Sequence, residues 1–216
     1  MIIVKGINAL FNFKCFIFIE YMHGGYMAIR IFIDQGHNPG GINGGATGFG
    51  INEQDVTFNV GMFLADLLRD DPRFEVRTSR QTITEIIGTN NSTSLRERVR
   101  MANEWPADYF ISIHCNANVN PNVNGSEVYV YALYTEAYNF GQSILTSMVD
   151  LVGTKNNGVL ANPSLYVLRR TQMPSVLVEL AYITNYEDNL LLQNEQWTFA
   201  YGIYLGILNY FGFSEL

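Results

Sequence analysis

The sequence predicts a single α/β domain, built on a mainly parallel, six-stranded twisted sheet with helices on both faces. Two patterns carry this. Short apolar runs rich in β-branched residues alternate along the chain with longer segments of helical period. Several of the runs stop abruptly at a polar or ionisable residue, as strands do at the edge of a buried sheet. The 216 residues, 48% hydrophobic and 15% charged, supply one full core and exclude a disordered chain. No internal repeat or low-complexity segment interrupts the pattern.

The net charge of −7 and a pI near 4.9 leave no basic face of the kind that nucleic-acid binders need. The two cysteines, Cys15 and Cys115, form no CxxC pair and no disulfide framework. Cys115 reads as a small buried hydrophobe, turned by strand alternation away from its neighbour His114.

Residues 1–26 are apolar and aromatic, but Lys14 interrupts them, which argues against a membrane span of about 20 apolar residues. They lack the clean apolar region and small-residue cleavage site of a signal peptide. They are expected to be an extension outside the core, with a poor signal-anchor as the second reading. The domain is then expected to occupy 27–216.

The first core strand is IRIFI, Ile29–Ile33. It gives way to Asp34, Gln35, Gly36, His37 and a Gly/Asn/Pro loop. From Asn52, a good N-cap, a helix is expected with Val56, Val60, Phe63, Leu64, Leu67 and Leu68 inward. Glu53 and Asp55 suit its first turn, where the helix dipole favours anions. Phe74–Thr78 alternates as a strand, and 80–92 is a polar loop. Ser94–Glu104 is an amphipathic helix with Leu95, Val99 and Ala102 inward. Tyr109–Ile113 is a strand running into His114, and 116–125 is a turn-rich loop. Ser126–Ala132 alternates as a strand. Thr135–Val152 is a helix burying Phe140, Ile144, Leu145, Met148 and Leu151. Leu165–Leu168 is expected to be a short strand. After Pro174, which suits a strand start, Ser175–Val178 runs into Glu179. Glu187–Leu192 and Trp197–Phe211 close the chain as helices, the last too short for a membrane span.

If the strands before His37, His114 and Glu179 are parallel and adjacent, these three residues meet at one sheet edge. A lone histidine past a strand is usually a hydrogen-bonded loop residue. Here, two of only three histidines in the chain occupy that position. Neutral imidazole is the commonest protein metal ligand, and a hydrolytic zinc site takes three protein ligands and one open position. Glu53 is the first acidic residue after the loop bearing His37, and a loop folded back would bring it to the strand ends. Arg169 is a weaker candidate, as a cation for a substrate carboxylate or a developing oxyanion.

Taken in order, DQGHNPGG, NEQD, SLRERVRMAN, DYFISIHCNAN, GSEVYVY, YVLRR and MPSVLVELAYITN resemble the zinc-dependent N-acetylmuramoyl-L-alanine amidases, the family of bacterial autolysins and sporulation amidases. The resemblance covers about residues 28–211. It implies one Zn²⁺ per chain held by His37, Glu53 and His114, with Glu179 as the catalytic glutamate. It implies a peptidoglycan hydrolase that cleaves the amide between the lactyl group of N-acetylmuramic acid and L-alanine, acting outside the cell or at the wall. The chain departs from the family pattern in its first loop, DQGHNPGG in place of DPGHGG. It departs again at Leu180-Ala181-Tyr182, where the family has glycine and phenylalanine. The alternatives are a zinc peptidase or deacetylase acting on another cell-wall amide, and a non-catalytic wall-binding module. The four ionisable positions argue against the last.

A chain that starts at Met27 is expected to be soluble, to melt within a few degrees of the full chain, and to keep zinc and wall lysis. Insolubility would show that the leader packs against the core.

Overall fold

The computed structural model describes residues 27–216; the expectation for residues 1–26 lies outside them. A six-stranded sheet runs in the order β4-β1-β5-β8-β6-β7. The strands are β1 (Ile29–Gln35), β4 (Phe74–Thr78), β5 (Tyr109–Asn116), β6 (Ser126–Val130), β7 (Asn156–Ala161) and β8 (Ser175–Tyr182). All neighbours are parallel except β6 and β8. A two-stranded hairpin, β2 (Thr47–Gly48) and β3 (Ile51–Asn52), lies between β1 and the first helix.

Helices cover both faces of the sheet. Alternation sends Ile31, Ile33, Ile111, Ile113, Val176 and Val178 to one face. There they pack under α1 (Glu53–Arg69), α3 (Glu136–Val152) and α6 (Gln196–Phe211). Phe32, Phe110 and Leu177 face the other way, under α2 (Asn91–Glu104) and α4 (Tyr166–Arg170). The short α5 (Tyr186–Asn194) joins β8 to α6. Among the described residues, no helix is long and apolar enough to cross a membrane.

Several local expectations change. Leu165–Leu168 is not a strand. Tyr166–Arg170 is one helical turn, closed by Arg169 N–H donating to the Leu165 carbonyl, with Val167 and Leu168 buried. A four-residue apolar run fits a helix turn as well as a strand, and here the buried side chains select the helix. The sixth strand is instead β7, a sheet edge carrying Gly158 at a φ of 92°. α2 begins at Asn91, three residues before Ser94, because Asn90 and Thr93 form a reciprocal capping box. Phe63 and Leu151 are exposed rather than inward. Asn52 is the N-cap residue of α1, but its side chain donates to the Asp55 carboxylate and not to a helix end. β5 and β8 each run past their apolar stretch, so His114 and Glu179 lie within strands.

α3 and α6 cross at close range because α6 presents glycine there. A Cβ on Gly206 would stand 2.4 Å from Ile144 Cα, so any side chain must part the helices. Helix propensity alone would favour alanine at Gly206 by about 1 kcal/mol. Overpacking a close-packed contact costs about 1–3 kcal/mol, so the steric effect should win. Gly206→Ala is expected to lower the urea midpoint; a stabilised variant would show that the helix pair separates freely.

Candidate metal centre

The three central parallel strands β1, β5 and β8 bring polar residues to their carboxyl ends. His114 on β5 is level with Glu179 on β8, and Glu179 is level with Glu127 on β6. The three form a row across the sheet on the face that carries Phe110 and Leu177. Cys115 points to the opposite face and is buried in the core, as expected from alternation.

His37 follows β1 with a left-handed φ of 67°, a strained conformation for a non-glycine residue. Fixed contacts hold it there. Its Nδ1 lies 3.0 Å from the Asn43 carbonyl, and its own carbonyl accepts from Arg98 Nη2. Arg98 is fully buried on α2. Its Nη1 binds Asp34 Oδ1 at 2.5 Å and the Gln35 carbonyl at 2.5 Å, and its Nη2 binds Asn38 Oδ1 at 2.9 Å. Ser112 Oγ donates to the second oxygen of Asp34. Burial pushes the Asp34 carboxyl up, but the Arg98 charge and hydrogen bond outweigh it and hold the group below its ordinary value.

Glu53 is the first residue of α1 and is buried. The hairpin folds back so that the Ala46 amide donates to Glu53 Oε2 at 2.8 Å, while the Cys115 amide donates to Oε1 at 2.9 Å. Two glycines keep this space open. A Cβ on Gly36 would lie 2.5 Å from the His114 ring, and one on Gly45 would lie 2.8 Å from both Glu53 and His37.

The three candidate ligand atoms converge. His37 Nε2 stands 3.0 Å from Glu53 Oε1, and His114 Nδ1 stands 3.1 Å from each of them. With Nδ1 of His37 donating to Asn43, the neutral ring presents a bare lone pair at Nε2. That lone pair points at a carboxylate oxygen and a second imidazole nitrogen. Converging lone pairs of two nitrogens and one oxygen suit a divalent cation, so His37, Glu53 and His114 could hold a metal ion. Burial pushes the Glu53 carboxyl up, yet hydrogen bonds and charge from His114 and His37 hold it well below the usual carboxylate range. Burial also lowers His114, against the opposing pull of the Glu53 hydrogen bond.

Glu179 has the opposite environment. The residue is partly exposed, but its Oε2 is out of contact with solvent and has no hydrogen-bond partner among the described residues. Burial, then the charges of Glu53 and Glu127, push its carboxyl well above the usual range. Glu127 is buried beside it, and its Oε1 accepts from Asn116 Nδ2, from the Tyr129 hydroxyl at 2.8 Å and from the Tyr182 hydroxyl at 3.4 Å.

Thus His37, Glu53, His114 and Glu179 gather at one sheet edge. Arg169 does not join them. It sits on α4 beside Ser175, at the opposite end of β8 from Glu179, and donates to the Pro163 and Ser164 carbonyls. Glu127 and Arg98 were not foreseen. The alternation of SEVYV, with Glu127 and Tyr129 on one face, was the available signal for Glu127.

Arg98→Met would leave the Asp34 charge buried and free the carbonyls of the His37 loop. Breaking such a pair costs about 3–5 kcal/mol, which a denaturant titration reads directly. A group with a lowered folded pKa contributes stability that is fully present above its unfolded pKa, about 3.9, and is lost as pH falls from there through the folded value. The deficit of Arg98→Met should therefore narrow below about pH 4. A loss under about 1 kcal/mol at neutral pH would mean the pair is not what holds the loop.

Residues 31–209 match the family described as N-acetylmuramoyl-L-alanine amidase. The chain is 34% identical over 191 residues to a Bacillus anthracis protein named as an uncharacterized cell wall amidase, covering 84% of this chain and 35% of that protein. It is 35% identical over 162 residues to the N-acetylmuramoyl-L-alanine amidase LytC of Bacillus subtilis, covering 73% of this chain and 30% of LytC. It therefore spans about a third of the length of these two relatives. The crystal structure of an N-acetylmuramoyl-L-alanine amidase from Clostridium difficile superposes with a TM-score of 0.76 at 30% identity, covering 86% of this chain and 97% of that one.

Proposed function

We propose, since the chain belongs to the N-acetylmuramoyl-L-alanine amidase family, that it hydrolyses the amide between the lactyl group of N-acetylmuramic acid and L-alanine in peptidoglycan. His37, Glu53 and His114 would hold one zinc ion, with Glu179 as the proton-transfer group. The observation that carries this is the pairing of three converging ligand atoms with a carboxyl oxygen on the neighbouring strand that has no hydrogen-bond partner among the described residues.

Two histidines and one glutamate leave a coordination position open, and zinc bound there supplies Lewis-acid polarisation of the amide carbonyl and activation of water. The residues of the chain supply the rest. The Ala46 and Cys115 amides fix the Glu53 carboxylate, and Asn43 fixes the His37 tautomer, so the ligand set is oriented before substrate arrives. Glu179 Oε2 takes a proton from water and returns it to the leaving nitrogen. Glu179 Oε2 has no hydrogen-bond partner among the described residues, so it is available to accept and return that proton. Glu127 keeps its place through three donors and lies level with Glu179, so Glu179 stands between a second carboxylate on β6 and the ligand candidate His114 on β5.

The Gly/Asn-rich segments 38–52 and 116–125 flank the centre and offer backbone N–H and C=O groups to a substrate that is part sugar and part peptide. Such a substrate places the chain's action at the cell wall. A zinc peptidase or deacetylase acting on another wall amide would use the same centre, and the products distinguish the three.

Purified peptidoglycan should yield free amino groups on L-alanine and glycan strands with bare lactyl carboxylates. New reducing ends would indicate a glycosidase, and cleavage inside the stem peptide an endopeptidase; either overturns the proposal. His114→Ala should lose zinc and activity together. Glu179→Gln should keep zinc and lose turnover by roughly 10² or more. A zinc-free Glu179→Gln protein would make Glu179 a ligand instead.

A further inference from the structure

The hairpin that leads into Glu53 contains a residue its backbone does not favour. β2 and β3 pair Thr47 with Asn52 and Gly48 with Ile51, which leaves Phe49-Gly50 as a two-residue turn. Both turn residues have positive φ, 45° and 87°. Turns of this geometry favour Asn-Gly, because the first position is left-handed and a bulky side chain is strained there. Burial does not offset the strain, since Phe49 is 56% exposed. Its ring meets that of Tyr186, also 56% exposed, edge to face at 5.6 Å and 75°.

This exposed pair is tied to the metal centre from both sides. Asn189 Nδ2 donates to the Gly48 carbonyl at 3.1 Å and to the Ile183 carbonyl at 2.8 Å, clamping the hairpin to the chain that leaves β8. Phe49 is four residues from the ligand candidate Glu53, so their Cα atoms lie at most about 14 Å apart. Tyr186 opens the helix that follows the strand bearing Glu179. Strained backbone kept for an exposed aromatic side chain beside a reactive centre points to a contact with something else.

We propose that Phe49 and Tyr186 form a stacking platform for a pyranose ring of the glycan strand next to the scissile amide. The proposal rests on the amidase reading of the site. The flat C–H face of a pyranose carries partial positive charge, which matches the negative face of an aromatic ring. The surroundings favour a neutral sugar over a peptide bearing carboxylates. Segment 42–52 contains no lysine or arginine, and the exposed Glu187 directly follows Tyr186.

The test uses the full chain with three substitutions. Phe49→Asn removes the ring and relieves the backbone. It should keep its metal, melt about 2–4 °C higher, and show a KM for polymeric peptidoglycan raised about fivefold at unchanged kcat. Phe49→Leu keeps the strain and loses the ring, so it should show the KM effect without the rise in melting temperature. Peptide-free oligomers of β-1,4-linked N-acetylglucosamine, titrated by NMR, should bind the wild type and bind both variants about fivefold more weakly. Equal binding by wild type and variants overturns the platform, even if the amide is cleaved as proposed. Phe49-dependent binding without amide cleavage would keep the platform and remove the amidase reading. If Phe49→Asn loses metal, Tyr186→Ser at the exposed helix start carries the same comparison, and unchanged oligomer binding by that variant overturns the proposal.

Discussion

The buried pair of Arg98 and Asp34 is the constraint on which the rest of the centre depends. Two opposite charges are fully enclosed between α2 and the end of β1, and nearly every donor of the guanidinium has a named acceptor. Such a pair contributes less to net stability than to geometry, because desolvation consumes much of its attraction. Its geometric role is concrete here. One guanidinium grips the carboxylate at the strand end, the carbonyls of Gln35 and His37, and the side chain of Asn38. Asn38 in turn bonds both backbone groups of Ile87 and the Ser94 hydroxyl, so the polar stretch before α2 is fastened to the same loop. The left-handed histidine is thus over-determined from behind, and its ring is free to face the site.

The sheet then sorts carboxylates by environment. Glu53 meets two imidazoles and two backbone amides and stays charged. Glu179, one strand over from His114, meets none of these and holds its proton more tightly. Two glutamates with opposed proton affinities at one centre are what it needs to bind a cation with one and shuttle protons with the other. The register of the antiparallel strand β6 sets a third carboxylate, Glu127, level with Glu179, and its charge adds to the upward push on Glu179.

Much of this was legible in the sequence because it rests on strand ends. Apolar runs that give way to the loop bearing His37, to His114 and to Glu179 identify residues at one edge once the strands are parallel, and β1, β5 and β8 are neighbours. Features set by distant partners were not legible. Arg98 looks like any solvated helix residue, since its acceptors lie some sixty positions earlier in the chain. β7 carries Asn156, Asn157 and Gly158 and lies at a sheet edge, so it shows no alternation to read. The run at Leu165–Leu168 was apolar for reasons of packing, and tertiary contacts chose a helical turn. The hairpin before Glu53 has two residues in each strand, below the length at which any period appears.

The connection between β5 and β6 has a consequence for how such a domain can diversify. β5 ends, and the reversed β6 begins, at the same edge of the sheet, with β8 lying between them. Residues 117–125 therefore arch over the end of β8 without traversing a face. They touch down on it through the Asn118 amide to Thr184 and through Asn185 to the Pro121 carbonyl. Doubling the length of a flexible loop costs only about 0.6 kcal/mol. Insertions in this arch would reshape the surroundings of the centre while every strand register stayed fixed, so the fold holds a segment in which access to the centre can evolve separately from the machinery beneath it.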